Sequence, residues 1–190
     1  MGMGIEVMCA SKKKSIVVMC ALDEETHQME TRFGQDEKLI IFDERKAVEI
    51  KGVLVFIVKC GVGEVDAAVE MTKMIMQMKN QSMPVPDVVM SVGCAGSHRD
   101  DLHAGDIVIS TSVVPASYKI VRPNGHHEHV GQRLGVGKVS LREIVTDDSL
   151  IALATSCAHE IRIDKWPTRA GQKRCPQVVR GRVCSCDTYV

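Results

Sequence analysis

Asp87-Val88-Val89-Met90-Ser91-Val92-Gly93-Cys94-Ala95-Gly96-Ser97 is a short apolar run that stops at two glycines. Valine fills three of the five positions from Val88 to Val92, and a β-branched run bounded by glycine predicts a buried strand that ends in a loop. Glycine permits positive φ and lets another group approach the backbone with no Cβ in the way. A loop of that kind at the carboxyl end of a sheet strand is where α/β domains place small molecules. The stretch therefore predicts a pocket floor at Gly93 and Gly96, with a plain tight turn as the alternative.

Upstream, Ser15 to Leu22 reads as a buried strand, followed at once by Asp23-Glu24-Glu25 and a helix over Thr26 to Phe33. Acids in a first turn complement the positive end of the helix dipole, and a carboxylate at the end of a strand is also placed to act on a ligand. Leu39 to Phe42 and Lys46 to Ile50 suit an antiparallel pair, and Val53 to Val58 is a further strand. After Lys59-Cys60-Gly61-Val62-Gly63 the period changes: Val65, Ala68, Val69, Thr72, Met76 and Lys79 recur at helical spacing, with Met71, Ile75 and Met78 widening the apolar face of a helix over 64–78. Gly61 and Gly63 resemble half of a dinucleotide fingerprint, but the third glycine is absent and no nucleotide is assigned to them.

Downstream, Ile107 to Ser110 is a strand that Val113 to Val121 extends, and Arg122 to Lys138 reads as a long excursion. Asp147 to His159 carries a helix signal, with Asp147 or Asp148 as cap and Leu150, Ala154 and Cys157 near one face. Gly181 to Val190 begins another strand and loop. Alternating strands and helices in this order predict an α/β fold with a largely parallel or mixed sheet covered on both faces, no internal repeat, and one domain over 15–190 behind a loose leader at 1–14.

Composition narrows the function classes. Lys and Arg number 24 and Asp and Glu 24, so the total charge favours no polyanionic partner, and nucleic acid is not expected. Hydrophobic residues make up 45% of the 190-residue chain and aromatics 3%, which leaves an aliphatic core in which eleven Met supply adaptable filling. No run reaches the length of a membrane span and no signal peptide opens the chain, so no membrane partner is expected and the cytoplasm is the expected compartment. Eight Cys lie scattered, with Cys20, Cys60 and Cys94 inside apolar runs, which favours free thiols over a disulfide framework. His126, His127, Glu128 and His129 read as solvated loop residues, and Cys184-x-Cys186 with Cys175 lacks zinc-knuckle spacing, so no metal is expected. The basic stretch from Lys165 to Arg182 contains one aromatic, Trp166, and reads as a solvated connection.

Four separated blocks coincide with one family. Val17 to Glu25, Lys59 to Ala68, Asp87 to Gly96 with Leu102-x-x-Gly105-Asp106-Ile107-Val108, and Ser185-Cys186-Asp187-Thr188-Tyr189 resemble the nucleoside phosphorylase/nucleosidase superfamily, and within it the 5'-methylthioadenosine/S-adenosylhomocysteine nucleosidases. The resemblance implies a three-layer α/β/α fold around a central mixed, mostly parallel sheet, whose last strand and helix lie beyond residue 190. It implies hydrolysis of the N-glycosidic bond of a purine nucleoside through a ribooxocarbenium-like transition state, in nucleoside and methionine salvage, without a cofactor and in a homodimer. Glu25 matches the glutamate that activates water. Ala21, Cys94, Ala95 and Gly96 fall in the substrate-binding blocks, with Cys94 where the family has a serine near the nucleophile. Tyr189 matches the aromatic that stacks on the base, and Val190 the residue that offers backbone groups to the purine edge.

A phosphate-dependent phosphorylase of the same superfamily is the alternative, together with an inactive relative that binds without turnover. Phosphorylases commonly carry Gly-Asp-Pro where this chain has Ala21-Leu22-Asp23, and an Arg where it has Ser91, so the cationic partners of phosphate are missing. The family's acid for the leaving purine and its Met-Glu pair for the ribose fall past the last residue here. The chain by itself is therefore expected to be weak or inactive, since general acid catalysis is worth roughly a hundred- to ten-thousand-fold.

Overall fold

A computed structural model describes residues 14–34, 38–42, 45–117, 119–129, 132–133, 140–141, 143–161, 163–167, 171 and 173–186. They fall into two compact units, one reaching Cys94 and the other starting at Ala95. The leader at 1–13, Tyr189 and Val190 lie outside the described residues.

The first unit runs β1 (Ser15–Cys20), α1 (Asp23–Gly34), β2 (Lys38–Phe42), β3 (Arg45–Ile50), β4 (Val53–Lys59), α2 (Glu64–Asn80) and β5 (Val88–Ser91). Its sheet has the order β2-β3-β4-β1-β5. Strand β1 pairs in parallel with β4 and β5, while β3 runs antiparallel to both β2 and β4. Alternation along the strands decides the layers. Val17 and Met19 of β1 join Ala47, Phe56 and Val58 beneath Met74 and Met78 of α2. Val18, Cys20 and Val55 face the other way, against Met29 of α1. The unit is thus a mixed sheet between two helix layers, the α/β/α arrangement expected.

Two expectations are corrected here. Strand β5 is the last of its sheet, and Val89, Met90 and Val92 stay 47%, 43% and 39% exposed; a β-branched run predicts burial only when neighbours cover it, and the run itself does not say where in the sheet it lies. In α2 the face against the sheet is Ala67, Met71, Met74 and Met78, whereas Val65, Val69 and Met76 point to solvent. Both faces are apolar, so periodicity alone does not choose between them.

The second unit contains β6 (Ile107–Pro115), β7 (Lys119–Val121), β8 (His127–His129), β9 (Gln132–Arg133), β10 (Ser140–Leu141), β11 (Ile144–Val145), α3 (Asp148–Glu160), β12 (Trp166–Pro167), β13 (Lys173–Arg174) and β14 (Val178–Ser185). Strand β6 lies between β11, antiparallel, and β14, parallel with one register shift between Gly181 and Arg182. The expected extension through Val121 stops at Pro115, and the next strand begins at Lys119. Asp147 caps α3, its Oδ1 accepting from the Ser149 and Leu150 N–H groups at 2.9 and 3.2 Å. The helix buries Ile151, while Ala154 and Cys157 are exposed, so its inner face is rotated from the expected one.

Asp106 buckles this unit. Its carboxylate, 2% exposed, meets the Arg174 guanidinium and accepts the backbone N–H groups of Gln177 at 2.8 Å and His103 at 2.9 Å. Burial alone would raise its pKa; Arg174, Gln177 and His103 outweigh it and hold the group far below the usual carboxylate range. Beside it Gly105 has φ +91°, and a Cβ there would sit 2.6 Å from Cγ of Trp166, the only tryptophan. A depressed native pKa contributes stability that is complete above the unfolded value and is lost as pH falls below about 4. Denaturant unfolding followed by Trp166 fluorescence should therefore show stability falling with acid below that pH, and Asp106→Asn should lose about 2 kcal/mol at neutral pH and flatten the acid limb.

Candidate active site

The end of β1, the start of α1 and the end of β5 converge on one side chain. Helix α1 begins when the Thr26 N–H bonds to the Leu22 carbonyl at 3.2 Å. Glu25 sits in that first turn and its Oε2 reaches back to the N–H groups of Leu22 and Ala21, both at 3.0 Å. A glutamate at the third helical position doing this satisfies donors that the helix leaves open. Its Oε1 crosses to the end of β5 and accepts the Cys94 N–H at 2.9 Å. The crossing is possible because Val92 N–H bonds to the Met19 carbonyl at 2.9 Å, which carries the β5 chain past the end of β1.

Gly93 makes room for the carboxylate. A Cβ built there would lie 2.9 Å from Oε1 of Glu25, closer than such atoms pack. Neither Gly93 nor Gly96 has positive φ, so the expectation of left-handed backbone at the pocket floor is corrected: Gly93 serves close approach, by a carboxylate, and around Gly96 there is open space.

Burial alone would raise the pKa of Glu25. The N–H groups of Cys94 and Leu22, the Cys94 thiol and the Ala21 N–H together outweigh burial and hold the carboxyl below its ordinary value. Beneath it, Cys20 and Cys60 are buried, and burial followed by the Glu25 charge pushes both thiols up. They stay protonated, and the Cys60 thiol donates to the Cys20 carbonyl at 3.3 Å. Of the other two acids, Asp23 pairs with Lys59 at 2.7 Å on the surface, and Glu24 lies at the rim.

A cleft of about 640 Å³ opens beside Glu25. Leu22, Glu24, Gln28 and Met29 form one wall and Val92, Gly93 and Cys94 the other, with no Lys or Arg among the lining residues. Glu25, Ala21 and Cys94 are therefore brought together, the last two through their backbone N–H groups. Ala95 and Gly96 open the second unit and are exposed; Tyr189 and Val190 lie outside the described residues. Gly93 lines the cleft, as the glycine loop led one to expect, whereas two further lining residues were not anticipated at the site, Gln28 and Met29. The last two stand three and four residues after Glu25, which places them on its side of a helix. Among the described residues no three His, Cys, Asp or Glu side chains converge as a metal site requires.

A family model described as the phosphorylase superfamily matches residues 15–190. A 5'-methylthioadenosine/S-adenosylhomocysteine nucleosidase of Bacillus licheniformis is 34% identical over 99 residues, covering 52% of this chain and 40% of the relative. One of Bacillus thuringiensis is 27% identical over 178 residues, covering 92% of this chain and 65% of the relative. The chain thus spans 40% to 65% of the length of these two curated relatives. Among solved structures, a Helicobacter pylori MTAN mutant with 5'-methylthioadenosine in the active site has a TM-score of 0.63 at 22% identity, covering 93% of this chain and 66% of that one. Futalosine hydrolase of the same organism, in a mutant form, has a TM-score of 0.63 at 22% identity, covering 93% and 70%. These likenesses show the fold.

The packing predicts a contrast between two glycines of one loop. Gly93→Ala should push the Glu25 carboxylate out of its three N–H bonds and raise its pKa back toward the ordinary glutamate range, read from a carbon-13 titration of the side-chain carboxyl. Gly96→Ala, with open space around it, should leave that titration unchanged.

Proposed function

We propose, from the premise that this chain belongs to the phosphorylase superfamily, that it hydrolyses the N-glycosidic bond of a purine nucleoside in the manner of a 5'-methylthioadenosine/S-adenosylhomocysteine nucleosidase. The observation that carries the reading is the ionised carboxylate of Glu25, fixed by three backbone donors at the edge of a cleft that no Lys or Arg lines. In the proposed reaction the bond from the ribosyl C1' to the purine nitrogen breaks with its electron pair on the purine. Water then forms the new C–O bond at the cation-like C1', and its proton passes to Glu25. Cys94 contributes its thiol to Glu25, where a serine would stand in the family. The setting of this reading is nucleoside and methionine salvage in the cytoplasm, with the protein as a homodimer and 15–190 as one domain.

The phosphorylase alternative has no comparable support. Phosphate needs several cationic or N–H donors, and here the three N–H groups at the site are already taken by Glu25 while Glu24 adds a second negative charge.

Adenine release from 5'-methylthioadenosine by this chain should be slow, independent of added phosphate, and lowered about 100-fold or more in Glu25→Gln. Because the carboxyl is held below its usual range, the rate should stay level from about pH 5 upward instead of falling off near neutrality. Phosphate-dependent release, or release indifferent to Glu25→Gln, would overturn the assignment.

A further inference from the structure

The peptide group between Cys20 and Ala21 is held from both edges. Its N–H donates to Oε2 of Glu25 at 3.0 Å. Its carbonyl accepts twice from Cys60, which stands just past the end of β4: from the backbone N–H at 2.8 Å and from the thiol at 3.3 Å. A peptide group is planar, and none among the described residues is cis, so the oxygen and the N–H point to opposite sides of one rigid plate. Any rotation that turns the N–H away from Glu25 must also carry the oxygen away from Cys60.

Cys60 is itself anchored. Its side chain is 8% exposed and shares a core with Val58, Met74 and Met78. The residue before it, Lys59, pairs with Asp23 in the first turn of α1 at 2.7 Å, and the residue after it, Gly61, takes φ +78° and turns the chain toward α2. Burial keeps the thiol protonated, and the charges of Glu25, Asp66 and Glu70 act in the same direction. It is therefore a standing donor. A carbonyl oxygen has two lone pairs, and here the Cys60 N–H meets one while the thiol meets the other; the second contact of the thiol, to the Gly61 carbonyl at 3.5 Å, is the longer.

We propose that Cys60 is a positioning residue for Glu25: from the neighbouring strand it fixes the Cys20–Ala21 peptide, and through that peptide the direction of the carboxylate that faces the cleft. Cys60 does not line the cleft and acts only through Glu25. Donation to the oxygen of a peptide group also strengthens donation by its N–H, because hydrogen bonds in a chain polarise one another. The chain here has three links, from the Cys60 thiol to the Cys20 carbonyl, across the peptide, and from the Ala21 N–H to Oε2.

Only the kinetic part of the test rests on the nucleosidase reading; the rest is read without substrate. Cys60→Ala removes the donor and the volume, Cys60→Val removes the donor and fills the space, and Cys60→Ser keeps a donor on a smaller side chain. With Ala or Val, the carbon-13 titration of the Glu25 carboxyl should move up toward the ordinary glutamate range and the Ala21 amide proton should move upfield; with Ser both should return toward their starting values. Thermal melts show which variants are folded, and either donor-free variant is enough for the comparison with Ser. In adenine release from 5'-methylthioadenosine, the donor-free variants should lower kcat about threefold or more with KM held within about twofold, and Ser should bring kcat back to within about twofold. A titration and an amide shift that are the same in all the variants, or that follow volume so that Ser behaves as Ala does, would overturn the assignment. A chain that releases no adenine while the titration still separates Ser from Ala and Val would overturn the nucleosidase reading and leave Cys60 as the residue that orients Glu25.

Discussion

Everything in the first unit that bears on chemistry depends on one carboxylate accepting three backbone N–H groups from three places in the chain. Ala21 closes β1, Leu22 precedes α1 and Cys94 follows β5, and all three donate to Glu25. Every group that faces this side chain is a donor, so only an anion satisfies the site; an amide in its place would turn its own N–H groups toward donors. The charge that holds the loops together is therefore the same charge that faces the cleft. Strand β1 makes the convergence possible, because it lies between β4 and β5 in parallel with both, and parallel neighbours deliver their carboxyl ends to one edge of the sheet.

Acids close loops elsewhere in the molecule by the same physics, which separates structural carboxylates from the one that faces space. Asp87 accepts the Ser15 N–H at 2.8 Å and gives its own N–H to the Ser15 carbonyl at 2.9 Å, fixing the opposite ends of β1 and β5. Asp106 gathers His103, Gln177 and Arg174 in the second unit. Each of these two is spent on holding the chain. Glu25 alone of the three borders the cleft, and Gly93 leaves it room to reach across, since a Cβ there would crowd Oε1 at 2.9 Å.

Strands and helices were legible in the sequence wherever a single period ran between clear punctuation. Val17 to Cys20 and Val53 to Val58 alternate between two cores as their composition implies, and Asp147 caps α3 as its position before the helix predicts. Glu25 was legible as an acid at a strand end, and the hydrogen bonds that serve the start of the helix are the ones that set it at the edge of the cleft. Three things were not legible. The phase of α2 was ambiguous because two of its faces are apolar, one covered by the sheet and one exposed. The exposure of β5 follows from its rank in the sheet, which no local pattern encodes. The partners of Asp106 lie 71 residues away at Gln177, and a separation of that size leaves no periodic trace.

The electrostatics of the cleft bear on the choice between water and phosphate as the attacking group. Phosphate carries one to two negative charges at neutral pH and is bound where N–H groups and guanidinium or ammonium groups are free to meet it. Here the helix N-terminus that would supply such groups already holds an internal anion, and the nearby Lys59 is engaged by Asp23. A neutral water asks for less: one acceptor with a fixed direction. A carboxylate whose pKa is held down is a weak base, which would be a handicap against a poor electrophile. Against a carbon that is already cation-like, the incoming water becomes acidic as its bond forms, and orientation matters more than basicity. The lowered pKa of Glu25 thus fits the proposed hydrolysis, and the backbone donors that lower it are also the ones that fix its direction.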